Sequence, residues 1–166
     1  MAEMTAFTPT PETTRQLRDA YGRFATGVCI VTTHTPSGPI GMTANSFTSV
    51  SLDPPLVLWC PGKTSARTPH FTAASHLAIH VLCDEQAQIA KDFAKDGRAF
   101  SGIEITYGEG DVPLIANCAA RFECETRQIH EAGDHLIQVG KVLRAMTSDK
   151  PPLIFCNGGF GDFSTG

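Results

Sequence analysis

Short runs of alternating or wholly apolar residues, separated by Gly- and Pro-containing turns, constrain the fold of this chain more than any other sequence feature. The clearest runs cover residues 28–33, 56–60, 76–82, 119–126 and 135–146. Each has the period or the apolar character of a β-strand. With residues 40–52 and 153–156 they predict about six or seven strands, without the alternation of strand and helix typical of a doubly wound sheet. We therefore predict a mainly β fold, an antiparallel barrel with a few flanking helices.

The helices are predicted from start signals and from apolar spacing. They cover residues 10–27, 68–74 and 84–97. In the first, Leu17, Tyr21 and Phe24 recur on one helical face, and Gly27 is expected to end the helix. The glycine-rich residues 158–161 are predicted to form a C-terminal loop.

Alternation within the strands predicts which side chains point outward. In residues 119–126, Arg121, Glu123 and Glu125 alternate with apolar residues and are predicted to face solvent. In residues 76–82, His80 lies on the face opposite the apolar side chains. Both strands are therefore predicted to have one core-facing side and one polar side.

Composition and charge exclude several classes of protein. With 166 residues, 42% of them apolar and 18% charged, the chain is predicted to be one globular domain, residues 1–166, with residues 1–10 as a flexible tail. Its net charge of −4 argues against non-specific nucleic-acid binding. No apolar stretch approaches the roughly 20 residues of a membrane span, and residues 1–11 lack the pattern of a signal peptide. The six cysteines are therefore predicted to be free thiols in a reducing cytoplasm.

A polar segment, residues 41–55, is the first candidate binding site. It contains no Lys or Arg. Its hydroxyl and amide side chains are Thr43, Asn45, Ser46, Thr48, Ser49 and Ser51. Short donors and acceptors on an accessible backbone suit a planar polar heterocycle with an attached phosphate. The alternative is a Ser/Thr-rich strand and turn that binds no ligand.

Two turns carry further candidate groups. Residues 61–65 form a small-residue turn in which Lys63 and the hydroxyls can hold a phosphate, although the Walker A pattern is absent. Gly133-Asp134-His135 forms a second turn, whose imidazole can donate to a carboxamide or a ring edge. A solvated turn and an ordinary turn with a surface histidine are the alternatives.

Other catalytic patterns are absent from the sequence. No G-x-G-x-x-G follows a strand, so a nicotinamide cofactor, if used, must bind transiently against another ligand. Neither G-x-S-x-G nor C-x-x-C occurs in a suitable context. His130 and His135 are five residues apart rather than four, so H-E-x-x-H is absent and no metal site is predicted.

Taken in order and spacing, five segments resemble the short-chain flavin reductase family, the reductase components of two-component flavin-dependent monooxygenases. The segments cover residues 24–28, 31–33, 41–47, 49–55 and 133–135. The similarity extends over nearly the whole chain, roughly residues 15–155. The resemblance implies an FMN-binding split β-barrel, antiparallel and Greek-key-like, that forms a homodimer. It also implies hydride transfer from NADH or NADPH to FMN or FAD, with reduced flavin passing to a partner monooxygenase.

The resemblance also implies roles for individual residues. Those expected to contact the flavin ring and ribityl chain are Thr43, Ala44, Asn45 and Ser46, with Ser49 on the same segment. Those expected toward its phosphate end are Ser51, Cys60, Lys63 and Ser65, with Cys60 acting through its backbone. Phe100 is the candidate for an aromatic contact, with a core anchor as its alternative role. His135, with Gly133 and Asp134, is expected to orient the nicotinamide rather than to transfer a proton.

Two other functions are compatible with the same sequence. One is a flavin-binding carrier or electron-transfer protein without turnover, and the other is a cofactor-free β-barrel interaction domain. The residues leave open the choice between FMN and FAD, and between NADH and NADPH. They also leave open whether the flavin is a substrate or a prosthetic group, and which oxygenase is the partner. Residues 158–161 lack the more basic motif that many family members carry there, so the role of this segment is open.

Overall fold

The computed structural model describes residues 4–163 and consists mainly of antiparallel β-strands. The strands are β1 (Thr26–Gly27), β2 (Cys29–Thr35), β3 (Gly38–Ala44), β4 (Thr48–Leu52), β5 (Pro55–Trp59), β6 (His76–Val81), β7 (Ile105–Tyr107), β8 (Pro113–Ile115), β9 (Ala120–Ala132), β10 (His135–Thr147), β11 (Leu153–Cys156) and β12 (Gly159–Asp162). The α-helices are α1 (Thr14–Tyr21), α2 (Thr68–Ala73) and α3 (Ala87–Lys95), with 3-10 turns at Pro11–Thr13, Asp84–Gln86 and Glu109–Asp111. This architecture confirms the predicted mainly β, antiparallel fold with a few helices.

One seven-stranded sheet, in the order β3-β2-β6-β9-β10-β5-β4, carries most of the structure. All of its pairings are antiparallel. A second sheet, β1-β11-β12, joins the two ends of the described chain. The loop predicted for residues 158–161 is therefore wrong, because Phe160 pairs with Phe155 and Gly161 with Ile154. Glycine-rich residues have little strand propensity of their own, and the pairing partner decides their conformation.

The N-terminal region also differs from the prediction. Residues 1–3 of the predicted tail lie outside the described residues, and residues 4–10 are exposed without regular secondary structure. The predicted helix ends early, at Tyr21, with Gly22 as its C-cap. Thr26 then pairs with β11, so this tertiary contact prevails over the helical spacing of the sequence.

The core lies on both faces of β2. Val31 packs with Trp59, Phe71 and Ile79 on one face. Its neighbour Ile30 packs on the other face, in a second cluster beneath α3. Because both faces of β2 are buried, residues 28–33 form a continuous apolar and β-branched run rather than an alternating one.

The outward face of β9 is covered, contrary to the prediction for Arg121 and Glu123. Their side chains are only 14% and 16% exposed, and Arg121 Nη2 lies 3.3 Å from Glu123 Oε1. The hairpin of β7 and β8 folds over this face of the sheet, where the backbone N–H of Ile115 donates to His80 Nε2 at 3.0 Å. His80 is consequently fully buried. Alternation shows which side chains share a face, but a distant segment decides whether that face meets water.

Candidate functional site

Hydrogen bonds connect three separate segments that follow or join strands of the large sheet. The backbone N–H of Cys60, after β5, donates to Ser46 Oγ, after β3, at 2.9 Å. The backbone N–H of Lys63 donates to the carbonyl of Asp134, in the turn between β9 and β10, at 2.9 Å. In the strand order, β3 lies at one end of the sheet and β5 lies near the other. These two hydrogen bonds therefore bring together three of the predicted segments, residues 43–46, 60–65 and 133–135.

An apolar trough of about 270 Å³ opens beside the first of these segments. We call it the ring trough, and its walls include Thr43, Ala44, Asn45, Lys91, Phe155 and Phe160. The Thr43 hydroxyl donates to the carbonyl of Ala90 in α3 at 2.7 Å, so its hydrogen holds the helix against β3. An apolar trough bordered by Asn45 and Lys91 suits a planar heterocycle, because apolar walls pack on the faces of a ring.

The turn of residues 61–65 presents the second group. Its carbonyl at Gly62 accepts from Thr68 Oγ1 at 2.6 Å, which fixes the turn on the start of α2. Ser65 Oγ accepts the backbone N–H of Arg67 at 3.3 Å. The Lys63 ammonium pairs with the exposed carboxylate of Glu131. The turn therefore presents a hydroxyl and a cation, the groups that contact a phosphate.

The turn between β9 and β10 orients an imidazole. Gly133 has a φ of +66°, a left-handed conformation that glycine adopts without strain. Asp134 Oδ1 lies 2.8 Å from His135 Nδ1. The hydrogen bond from His135 is the main reason that the pKa of Asp134 lies below its usual value. An ionised Asp134 thus fixes one ring nitrogen and leaves Nε2 available to a ligand.

Cys60 contributes backbone groups to this surface. Burial raises the pKa of its thiol, so the neutral form dominates near pH 7. Its N–H is already bonded to Ser46 Oγ, and its carbonyl lies 3.4 Å from the same oxygen. Cys60 and Ser46 therefore brace each other between β3 and β5.

Three predicted residues lie apart from the converging segments. Ser49 and Ser51 are on β4, the edge strand, and among residues 4–163 neither hydroxyl has a hydrogen bond to those segments. Phe100 packs edge-to-face on Phe93, with ring centroids 4.8 Å apart, in the cluster beneath α3. Its geometry is that of a core anchor close to the helix that borders the ring trough.

Arg67 is an organising residue that the sequence analysis missed. Its guanidinium donates to the carbonyls of Gly41 at 3.2 Å, Phe93 at 2.5 Å and Ala94 at 3.0 Å. These bonds tie β3 to the end of α3, the two elements that border the ring trough. No sequence signal predicts this role for a single arginine in a polar turn. The acceptors of its hydrogen bonds are backbone carbonyls about 26 residues away in either direction along the chain.

Within residues 4–163, no group of three or more His, Cys, Asp or Glu side chains is arranged to hold a metal ion. Over the same residues, no helix has the length and apolar character needed to cross a membrane.

Comparison with known proteins identifies the relatives of this chain. Residues 21–164 match the model of the flavin reductase like domain. The chain is 52% identical over 158 residues to the FMN reductase (NADH) SmoA of Agrobacterium fabrum, covering 95% of this chain and 91% of SmoA. It is 48% identical over 131 residues to the reductase component of the flavin-dependent trigonelline monooxygenase of Acinetobacter baylyi. That match covers 77% of this chain but only 42% of the longer relative.

A solved structure shares the fold along almost the whole chain. The NADH:FAD oxidoreductase SgcE6 of Streptomyces globisporus is 40% identical, with a TM-score of 0.89 over 99% of this chain and 96% of SgcE6. SgcE6 has also been solved in complex with NAD and FAD fragments, and that structure matches with a TM-score of 0.87 over 96% of this chain and 98% of SgcE6.

Proposed function

Because the chain belongs to the family of flavin reductase like domains, we propose that it is an NAD(P)H:flavin oxidoreductase that reduces FMN or FAD and supplies reduced flavin to a partner monooxygenase. The observation that carries the proposal is the convergence of an apolar trough, a Lys- and Ser-bearing turn and an oriented imidazole, whose segments hydrogen bonds link. These features fit the ring, the phosphate and the co-substrate of such a reaction. The partner is proposed because the trigonelline monooxygenase relative is the reductase component of such a system.

The ring trough is the proposed seat of the isoalloxazine ring. Thr43, Ala44 and Asn45 would line one side, and Phe160 the other. Lys63 and Ser65 would contact the phosphate, with the phosphate replacing the Glu131 carboxylate as the partner of Lys63. Ser49, Ser51 and Phe100 remain proposed flavin contacts, but with less support than the other residues. Ser49 and Ser51 lie on the edge strand β4, and Phe100 packs in the core beneath α3.

The flavin supplies the hydride-accepting chemistry when it is bound. The protein groups position the rings and need no proton-transfer base. His135, held by Asp134 at 2.8 Å, is proposed to contact the nicotinamide through Nε2. Backbone and side-chain donors near Asn45 and Ser46 are proposed to stabilise the charge that develops at the flavin edge.

The test is NADH oxidation by the purified chain, followed at the NADH absorbance band with FMN, FAD or riboflavin added, and with NADPH in parallel. Flavin-dependent oxidation is expected, and riboflavin, which lacks a phosphate, is expected to be the poorest of the three. Flavin binding without NADH oxidation would favour the carrier function instead. No flavin binding at all would favour a cofactor-free interaction domain.

Replacing His135 with alanine is expected to raise the KM for the nicotinamide co-substrate about tenfold, the loss of roughly one hydrogen bond to a ligand. Flavin affinity is expected to stay unchanged, because His135 is proposed to contact the nicotinamide rather than the flavin. His130→Ala is the matched control, since His130 is an exposed histidine on β9 whose side-chain partner is Gln128. A loss of flavin affinity with an unchanged KM would contradict the assignment of His135.

We further propose that the chain functions as a homodimer in the cytoplasm. Tyr21 and Phe24 are 70% and 78% exposed, and Val50 and Leu52 on β4 are 50% and 96% exposed. A second copy that covers these apolar side chains would remove them from water. The six cysteines are all free thiols, as a reducing compartment requires. Sedimentation equilibrium is expected to give the mass of two chains, and the mass of one chain at every concentration would contradict the dimer.

A further inference from the structure

A second concavity lies between the end of α1 and the turn that joins β11 to β12. Its volume is about 550 Å³, and we call it the arginine cleft because Arg18 and Arg23 line it with Asp19, Phe155 and Asn157. The turn is fixed to the helix end, because the backbone N–H of Asn157 donates to the carbonyl of Gly22 at 2.8 Å. The cleft is therefore a formed feature of the fold, of a size within the range of about 300–1,000 Å³ that holds small-molecule ligands.

The charge of the arginine cleft is unusual for this chain. The protein carries a net charge of −4, yet this cleft has two guanidinium groups and one carboxylate. Within residues 4–163, neither Arg18 nor Arg23 takes part in an ion pair. Two cations without carboxylate partners on the wall of a concavity favour an anionic ligand, and guanidinium matches phosphate in geometry.

The arginine cleft adjoins the ring trough. Phe155 lines both, and its ring lies 5.7 Å from the Phe160 ring, which lines the trough. A ligand that places an aromatic ring in or against the trough can therefore extend an anionic end into the cleft. From this continuity we propose that Arg18 and Arg23 form a subsite for the AMP half of a dinucleotide.

The proposal rests on the proposed function, which already assigns one phosphate to the Lys63 and Ser65 turn. A mononucleotide such as FMN has no second phosphorylated group, so a second cationic cleft matches FAD or NADH better. Asp19 supports a ribonucleotide, since a carboxylate accepts hydrogen bonds from ribose hydroxyls. The Asn157 amide adds a donor and an acceptor for the adenine edge. FAD and NADH share this AMP half, and the experiment separates them.

The experiment compares the wild-type chain with the double variant Arg18→Gln/Arg23→Gln. Both side chains are exposed, so the fold should persist. The measurements are the Kd values of FAD and FMN, the KM values of NADH and reduced nicotinamide mononucleotide, and calorimetric binding of ADP. If FAD occupies the cleft, the ratio of FAD to FMN affinity should fall about tenfold. If NADH occupies the cleft, the KM of NADH should rise about tenfold relative to the KM of reduced nicotinamide mononucleotide. Arg15→Gln, a neighbouring exposed arginine of α1 outside the cleft, is the control.

The outcomes separate this subsite from the proposed function. If neither ratio moves, or if Arg15→Gln moves them equally, the subsite is overturned. If the wild-type chain oxidises no NADH with any flavin, the proposed function fails. ADP binding that the double variant weakens would then still support the subsite, and a wild-type chain that binds no ADP would overturn it.

Discussion

Replacing Arg67 with methionine is expected to lower the free energy of unfolding by about 3 kcal/mol, the contribution of one or two hydrogen bonds from a charged donor at about 1.5–3 kcal/mol each. The three bonds do not count in full, because Arg67 is only half-buried and water reaches part of the site. The guanidinium serves three carbonyls, those of Gly41, Phe93 and Ala94. Methionine keeps the aliphatic stem that packs near Gly97 but leaves these acceptors without the donor. Since Gly41 precedes the trough residues on β3, flavin affinity is expected to fall about tenfold in the same variant.

Urea unfolding at pH 7 measures the loss of stability, and flavin titration measures the loss of affinity. Arg98→Met is the matched control, because Arg98 donates to the carbonyl of Ser37 from an exposed position at the far end of β3. We expect the control to lose less than about 1 kcal/mol and to keep its flavin affinity. If the two variants lose the same stability, Arg67 is an ordinary surface arginine and its organising role is wrong.

The free energy of unfolding is expected to fall by about 2.5 kcal/mol between pH 7 and pH 4.5 because of His80. Burial lowers the pKa of this histidine from its usual value of 6.5 to about 4, and the nearby Arg121 adds to the effect. His80 Nδ1 lies 2.9 Å from the carbonyl of Ile30, and Nε2 accepts the N–H of Ile115 at 3.0 Å. Protonation of Nε2 would place a second N–H against the N–H of Ile115 and remove the acceptor of this hydrogen bond. Within this window His80 becomes protonated in the unfolded chain but stays neutral in the folded chain. The free energy of unfolding therefore falls as the pH falls.

Denaturant unfolding at pH 7, 6, 5 and 4.5 measures this dependence. His80→Gln cannot titrate and is expected to be less stable at pH 7, but with a flatter profile above pH 4.5. His34→Gln, at an exposed position, should keep the wild-type profile. The carboxyl groups with lowered pKa values, Glu12, Glu85 and Asp134, lose their contribution only below about pH 4.5. A wild-type profile that is flat from pH 7 to 4.5 would contradict the role of His80.

Elements whose conformation depends on neighbouring residues were predicted from the sequence, whereas elements that depend on distant partners were not. The runs at 28–33 and 76–82 became β2 and β6, and the periodic segment at 84–97 became a 3-10 turn and α3. In these elements, local propensity and apolar pattern agree with the tertiary structure. By contrast, β12 and the two-residue β1 exist only because β11 supplies their hydrogen-bond partners.

The candidate site divides in the same way. Residues 43–46, 60–65 and 133–135 were selected by residue type and by the family resemblance, and the fold brings them together. The sequence did not show which of their polar groups remain free to bind a ligand. The Thr43 hydroxyl is used on Ala90, and the Cys60 N–H on Ser46. These partners come from other elements, so spacing along the chain does not reveal them.

By itself, the sequence determined the antiparallel β class, the family and the segments that form the proposed site, because these depend on short-range pattern and on ordered motifs. Only the tertiary structure decided that Arg67 ties β3 to α3, that His80 and Arg121 lie beneath the β7–β8 hairpin, and that Arg18 and Arg23 face a cleft beside the ring trough. The physical reason is that burial and hydrogen-bond partners of polar side chains depend on segments distant in sequence, whereas strand and helix patterns depend on neighbours.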